Sequence, residues 1–338
     1  MYDIEFAVPS DTSLLTIKRR LIDFKKFGLY NTENLSIHIS FLASKDCGNE
    51  IEFLKKGWSE NIVVDVINCN YSHVAQRICN YYASEAKKDF AKWYVRMDED
   101  SITDVGGLFT NLQKNFDYKR EYHIGARFLN DAFATDQMIL KKLGYGFWYI
   151  ENTTGLVSAP LHEQEIGITS LAAMNMVLEN RMCSKYFNLR KEFAEGYGDH
   201  PLALACRMCK IYPCEAGFIT YENLLSRHSI FGGHLNHVHW CSRDQNPKFF
   251  EWMELYNEES YDLITNKIYL FGHESEKKMV EFTSDHKIKM YQESSYDNTL
   301  GLWCVKDDFL IILLDEEEDL IKFDLTSLKH DKFELVEV

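Results

Sequence analysis

The sequence predicts an α/β protein, with a Rossmann-like domain over residues 1–260 and a small antiparallel β module over 266–338. Three observations predict it. In the first 130 residues, short β-branched or aromatic runs alternate with amphipathic stretches, the pattern of a parallel sheet with crossover helices. From about residue 266 the texture changes to short strands separated by charged turns, the pattern of an antiparallel meander. Hydrophobic residues make up 46% of the 338, too many for a disordered chain and enough for a large core plus a smaller one.

The elements follow in order. IEFAV (Ile4–Val8) reads as a strand, Ser13–Gly28 as a helix stopped by glycine, and Leu35–Ala43 as a strand. Asn49–Lys56 reads as a short helix, Ile62–Cys69 as a strand and His73–Asp89 as a helix. Lys92–Met97 is the next strand and Gly106–Phe116 the next helix. Ser170–Met182 and His200–Ile211 have helical texture, and Ser226–Trp240 reads as a histidine-rich loop. KIYLF, MVEFT, KIKMY, LGLWCV, FLIILL, LIKFD and FELVEV are the strands of the last module. That module, Lys267–Val338, holds 17 acidic and 9 basic residues, so it carries about half of the net charge of -15.

This charge argues against a general nucleic-acid or anionic-membrane surface, because phosphates attract Lys and Arg clusters. A nucleotide held through a metal ion stays compatible with it. The N-terminus lacks the basic and apolar regions of a signal peptide, and no run of about 18 apolar residues occurs. Nine cysteines at irregular spacing do not form a disulfide framework. The expectation is a cytoplasmic protein with reduced thiols.

The strand Trp93–Met97 runs directly into Asp98, Glu99 and Asp100. Ligands of open α/β sheets bind at the carboxyl ends of strands. An Asp-x-Asp there suits Mg2+ or Mn2+, which take one or two carboxylates plus substrate phosphates. The competing reading is a charged turn capping the next helix. The end of the first strand, Ala7, Val8, Pro9 and Ser10, is the candidate edge for a base and ribose, with Asp65 or Asn68–Ser72 next to it. Tyr71 stacks on a ring or simply packs. Asp199 precedes HPLALAC and reads as a helix N-cap, with Pro201 in the first turn. Cys206-x-x-Cys209 with Cys214 is half of a zinc pattern, or a set of buried thiols. His162 and Glu165 lack the second histidine of a zinc-protease motif and are acceptor-site candidates. DEEED (Asp315–Asp319) reads as a solvated turn.

KWYVRMDEDSITDVGGLFTNL resembles the aspartate motif of the fringe and core-1 β1,3-galactosyltransferase group, nucleotide-sugar glycosyltransferases of the GT-A fold. EGYGDHPLALACRM and FGGHLNHVH are similar to two later motifs of that group, in the same order. The resemblance covers residues 3 to 245 in order of elements and is specific only in these three segments. It implies that Asp100 coordinates Mn2+ (or Mg2+), and that Asp98 and Glu99 lie beside the nucleotide sugar, Asp98 also near the metal or its water. Glu99 alternatively buttresses the loop. It further implies that Asp199 is the catalytic base of an inverting reaction. It points to a metal-binding histidine at His234, with His228, His237 and His239 as competitors, because Gly232 replaces the first histidine of the family's pair. The implied partners are a UDP-sugar donor and a saccharide or glycolipid acceptor of surface polysaccharide or lipooligosaccharide synthesis. The implied setting is cytoplasmic, with peripheral contact at the inner face of a membrane, and no nucleic acid takes part. Animal members carry a membrane anchor and disulfides that are not seen in this sequence, so a bacterial relative is expected. Three rivals stay open: a retaining GT-A enzyme, a metal-dependent nucleotidyltransferase or phosphotransferase, and a non-catalytic saccharide-binding protein.

Overall fold

A computed structural model describes residues 1–10, 32–43, 60–98, 101–125, 128–129, 134–145, 161–162, 166–196, 198, 200–211, 213–216, 219–220, 237–238, 247–255, 264–265, 267–273, 276–283, 286–290, 299–314, 320–328, 330 and 333–337. The helices expected over 13–28 and 49–56 lie outside these residues, as do most of the histidine-rich stretch and DEEED. The chain divides into two compact units, Met1–Tyr221 and Glu222–Val338. No helix among the described residues is long and apolar enough to cross a membrane.

The first unit is built on a seven-stranded sheet. Its strands in chain order are β1 (Tyr2–Ser10), β2 (Ile37–Ala43), β3 (Ile62–Asn68), β4 (Ala91–Met97), β6 (His123–Gly125), β9 (Ile166–Ser170) and β10 (Pro213–Glu215). Short strands β5 (Ile102–Thr103), β7 (Phe128–Leu129), β8 (Leu161–His162) and β11 (Ile219–Thr220) stand outside it. The spatial order is β10-β6-β9-β4-β1-β2-β3. Strands β3, β2, β1 and β4 are mutually parallel, as the alternating pattern requires. The sheet is nevertheless mixed, because β9 runs antiparallel to both β4 and β6. All five residues of β9 are buried, Thr169 and Ser170 among them, so it has no solvent-facing side. Its last residue, Ser170, also starts the next helix: its Oγ accepts from the Ala173 amide at 3.3 Å and donates to the Arg120 carbonyl at 2.6 Å.

Helices cover both faces. On one lies α2 (Val105–Asn115), with Val105, Leu108, Phe109 and Leu112 buried at helical spacing against Ile4, Phe6 and Trp93. Asp104 caps it, accepting from the Gly107 amide at 3.0 Å. On the other lie α1 (Val74–Asn80), which runs into a π-helical turn over Tyr81–Glu85, then α3 (Ala134–Lys142), α4 (Leu171–Glu179), α5 (Arg181–Arg190) and α6 (His200–Met208). The single helix expected over Ser170–Met182 is two. Asn180 takes an extended conformation that ends α4, and its side chain caps the Met182 and Cys183 amides of α5. A buried ion pair joins α3 to α5: Arg190 Nε donates to Asp136 Oδ1 at 2.7 Å, and the Tyr186 hydroxyl donates to the same oxygen at 2.6 Å.

The second unit contains β12 (His237–Val238), α7 (Pro247–Leu255) and the strands β13 (Ile268–His273), β14 (Glu276–Phe282), β15 (Lys287–Met290), β16 (Thr299–Lys306), β17 (Phe309–Leu314), β18 (Ile321–Asp324) and β19 (Glu334–Glu337). The last seven form one antiparallel sheet, β18-β17-β16-β15-β14-β13-β19. Five strand spacings separate β13 from β18, about 24 Å in a flat sheet. Yet the rings of Phe271 and Phe323, one on each, lie 6.2 Å apart. The sheet therefore curls over an aromatic core in which Phe271 also stacks on Phe333 at 5.5 Å. The α/β class and the separate antiparallel module expected from the sequence are both present.

Gly301 pairs with Leu314 inside this sheet, and a Cβ there would overlap the Leu313 backbone carbonyl. Backbone cannot give way as a flexible side chain does. Gly301→Ala is expected to destabilise the β module by about 1–3 kcal/mol or more. Urea unfolding followed by tryptophan fluorescence checks this, and an unchanged midpoint would refute it.

Candidate active site

Buried polar side chains gather on the face of the main sheet that packs under α1. In-register pairing sets two polar rows there, because paired residues share a face. One row runs Asp65, Ser40, Ala7, Arg96 across β3, β2, β1 and β4. The row below it, toward the strand starts, holds His38, Glu5 and Tyr94. The opposite face of the same strands is apolar, with Phe6, Ile39 and Val95 packed under α2.

The lower row is a hydrogen-bonded network. The Tyr81 hydroxyl, from the π-helical turn, donates to Glu5 Oε1. His38 Nε2 lies 3.0 Å from Asp65 Oδ2, and His38 Nδ1 lies 3.4 Å from Ser40 Oγ and 3.7 Å from Glu5 Oε1. Burial works against a proton on His38, but Glu5 and Asp65 outweigh it, and the imidazole is held above its ordinary value.

Arg96 dominates the upper row. Its side chain is 2% exposed, and its Nη2 is paired with Asp98 Oδ1. Its Nε and Nη1 have no hydrogen-bond partner among the described residues. Asp98, one residue beyond β4, has a side chain 28% exposed, so it faces both the guanidinium and the solvent at the strand end. Against Arg96 lies Gly198, two residues before α6. A Cβ on Gly198 would stand 2.9 Å from Arg96 Nη2 and 3.0 Å from Val74 Cγ2 at the start of α1. A side chain at this position would have to displace the guanidinium or the Val74 methyl. Thus the KWYVRMDED segment and the EGYGDH segment, a hundred residues apart, meet on one guanidinium.

The other predicted residues divide as follows. Ala7, Val8 and Pro9 are buried, Ala7 under α1 and Val8 under α2, so this edge offers a ligand backbone rather than side chains. Ser10 ends β1. Asp65 has a half-exposed side chain already engaged by His38. Tyr71 packs against the core beside α1. His162 lies in β8 and His237 in β12. Glu99, Asp100, Glu165, Asp199, His228, His234 and His239 lie outside the described residues. Among the described residues no three His, Cys, Asp or Glu side chains gather as a metal site. Asp98 by itself suits a divalent cation as one hard, partly exposed oxygen donor at a strand end. Sequence reasoning missed Arg96. The available signal was an arginine inside an apolar strand, two residues before a carboxylate and therefore on the same face.

No protein-family model matches the sequence, and no curated protein matches it. Solved structures similar to the chain include the galactosyltransferase LgtC in complex with donor and acceptor sugar analogues, at 13% identity and a TM-score of 0.43, covering 75% of this chain and 95% of that one. Mouse xyloside xylosyltransferase 1 in its apo form is similar at 12% identity and a TM-score of 0.40, covering 70% and 96%. An active-site mutant of LgtC is similar at 11% identity and a TM-score of 0.42, covering 71% and 87%.

The close approach at Gly198 yields a prediction about coupling. Gly198→Ala is expected to destabilise the first unit by about 1–3 kcal/mol, by pushing the guanidinium off Asp98. In Arg96→Ala the added methyl keeps only the contact with Val74 Cγ2 and no longer meets a guanidinium. The two substitutions should therefore be non-additive in a double-mutant cycle read by chemical unfolding. Strict additivity would mean that the two segments are not in contact.

Proposed function

We propose that the chain is a metal-dependent glycosyltransferase of the GT-A fold, moving a sugar from a UDP-sugar to a hydroxyl of a saccharide or glycolipid acceptor with inversion. The observation that carries the reading is the meeting of Asp98, Arg96 and Gly198 past the end of a parallel strand. It joins the acidic motif to the segment containing Asp199 at the sheet edge where ligands of this architecture bind. The resemblance of both segments to the fringe and core-1 group, in the same order, supports the same assignment.

In this reading the chain's own residues divide the work. Asp98 positions the donor at the strand end, held by Arg96. Asp100, with a histidine at or near His234, would hold Mn2+. When bound, the metal supplies positive charge against the departing diphosphate. Asp199 accepts the proton of the acceptor hydroxyl as that oxygen attacks the anomeric carbon from the face opposite the diphosphate. Its place directly before α6 would favour the carboxylate form, because a helix N-terminus stabilises negative charge. The acceptor fits a cytoplasmic step in surface-saccharide assembly at the inner face of a membrane.

The donor assignment is tested by a thermal-shift screen of nucleotide sugars with and without Mn2+. One UDP-sugar is expected to raise the melting temperature only when the metal is present, and Asp100→Ala is expected to abolish that shift. A shift that survives in Asp100→Ala refutes the metal assignment, and shifts only with nucleoside triphosphates would favour a nucleotidyltransferase.

For the base, Asp199→Asn is expected to keep the metal-dependent shift while lowering the transfer rate by about 10²–10⁴-fold. Transfer at the wild-type rate in that variant would reduce Asp199 to a helix cap.

A further inference from the structure

The cysteines of CRMCKIYPC do not converge as a half zinc site would. Cys206, within α6, is fully buried and is hydrogen-bonded toward Thr169 on β9. Cys209, one residue past the end of α6, points instead to α5. Its Sγ lies 3.6 Å from Sγ of Cys183, in the first turn of that helix. Asn180, the residue that caps α5, also donates its side-chain amide to Cys209 Sγ at 3.4 Å. Cys183 is fully buried and Cys209 half-buried, and both are free thiols.

The two thiols are unequal. The hydrogen bond from Cys183, helped by that from Asn180, holds Cys209 below its ordinary value despite partial burial. The Cys183 thiol is pushed up, first by its hydrogen bond to Cys209 and then by burial. The less buried thiol is thus the more readily ionised of the two, and the buried one beside it the weaker acid. That is the division between an attacking and a resolving cysteine.

We propose that Cys183 and Cys209 form a reversible oxidative modification site, which a peroxide converts to a disulfide linking the first turn of α5 to the end of α6. The Cys209 thiolate attacks one peroxide oxygen and the O–O bond breaks. The departing hydroxide takes up a proton as water, leaving Cys209 as the sulfenic acid. The Cys183 sulfur then attacks the Cys209 sulfur. The S–O bond breaks, and the hydroxide leaves with the Cys183 proton as a second water. Two thiols are oxidised and one peroxide is reduced to two waters. A dithiol reverses the change by exchange. A disulfide has its sulfurs about 2 Å apart. The pair must therefore close further from 3.6 Å, giving up the contacts of Cys183 with the Ala205 carbonyl at 3.5 Å and of Cys209 with the Met176 carbonyl at 3.6 Å. The site is independent of the transferase reading. It does bear on the same element, since α6 begins immediately after Asp199.

The full chain is treated with hydrogen peroxide, its remaining thiols are alkylated, and its peptides are mapped by mass spectrometry. The expected result is the loss of two alkylatable thiols, a linked Cys183–Cys209 peptide, and recovery of both thiols with dithiothreitol. Cys183→Ser is expected to stop at oxidised, unlinked Cys209, Cys209→Ser to lose the crosslink entirely, and Cys206→Ser to retain it. The proposal is overturned if wild-type chain keeps all its thiols, links Cys206 to Cys209, or over-oxidises Cys209 without a link. The wild-type map decides among these even if a serine variant misfolds.

Discussion

The contact on which the candidate site depends is the Arg96 guanidinium between Asp98 and Gly198. A buried arginine is costly to place in a sheet, and its pair with a carboxylate offsets that cost only when the geometry is good. Here the carboxylate lies two residues along the same strand face. The partner is therefore supplied by local backbone geometry rather than by a distant loop. What is distant is Gly198. Its backbone lies so close to the guanidinium that a Cβ would have to displace it, and this brings the start of α6 to the end of β4.

Sidedness makes the arrangement possible. On the α2 side, strands β1, β2 and β4 present Phe6, Ile39 and Val95, and that layer holds the fold together by burial alone. A fully buried side chain of this size contributes about 1.5–3 kcal/mol relative to exposure. The α1 side can then carry Glu5, His38, Ser40 and Arg96 in the same strands. Each is buried, so each needs a neighbour: Tyr81 meets Glu5, Asp65 meets His38, and Asp98 meets Arg96. Both faces bury apolar side chains against helices, and the α1 face in addition carries ordered polar groups toward the strand ends.

Much of this was legible in the sequence, and the exceptions have physical causes. Strands β1, β2, β3 and β4 and helix α2 carry strong periodic patterns and lie where the sequence places them. Strand β9 escaped because it is only five residues long and buried throughout, Thr169 and Ser170 included, so no exposed side marks it in the sequence. The split at Asn180 escaped because asparagine is tolerated within a helix as well as at a cap. Arg96 was overlooked although its local signal, an arginine in an apolar strand two residues before a carboxylate, was present; only its long-range neighbour Gly198 is announced by no local pattern. The thiol pair escaped for the same reason. Cys206-x-x-Cys209 looks like one unit along the chain, but in α6 the two sulfurs turn to different partners.

The acidic run after β4 looks self-repelling when written as a line of letters, and the fold partitions it. Asp98 is paired with the Arg96 guanidinium on the α1 side. Asp104 accepts the Gly107 amide at the start of α2, where the helix dipole favours a negative charge. Two of the four carboxylates between Met97 and Val105 are thus compensated within the protein, by opposite devices. The two compensated carboxylates anchor the run at its two ends, one to the guanidinium of β4 and the other to the first turn of α2. Under the proposed function, a chain of net charge -15 needs no basic surface to receive an anionic donor, because a bound cation would supply the positive charge at one point.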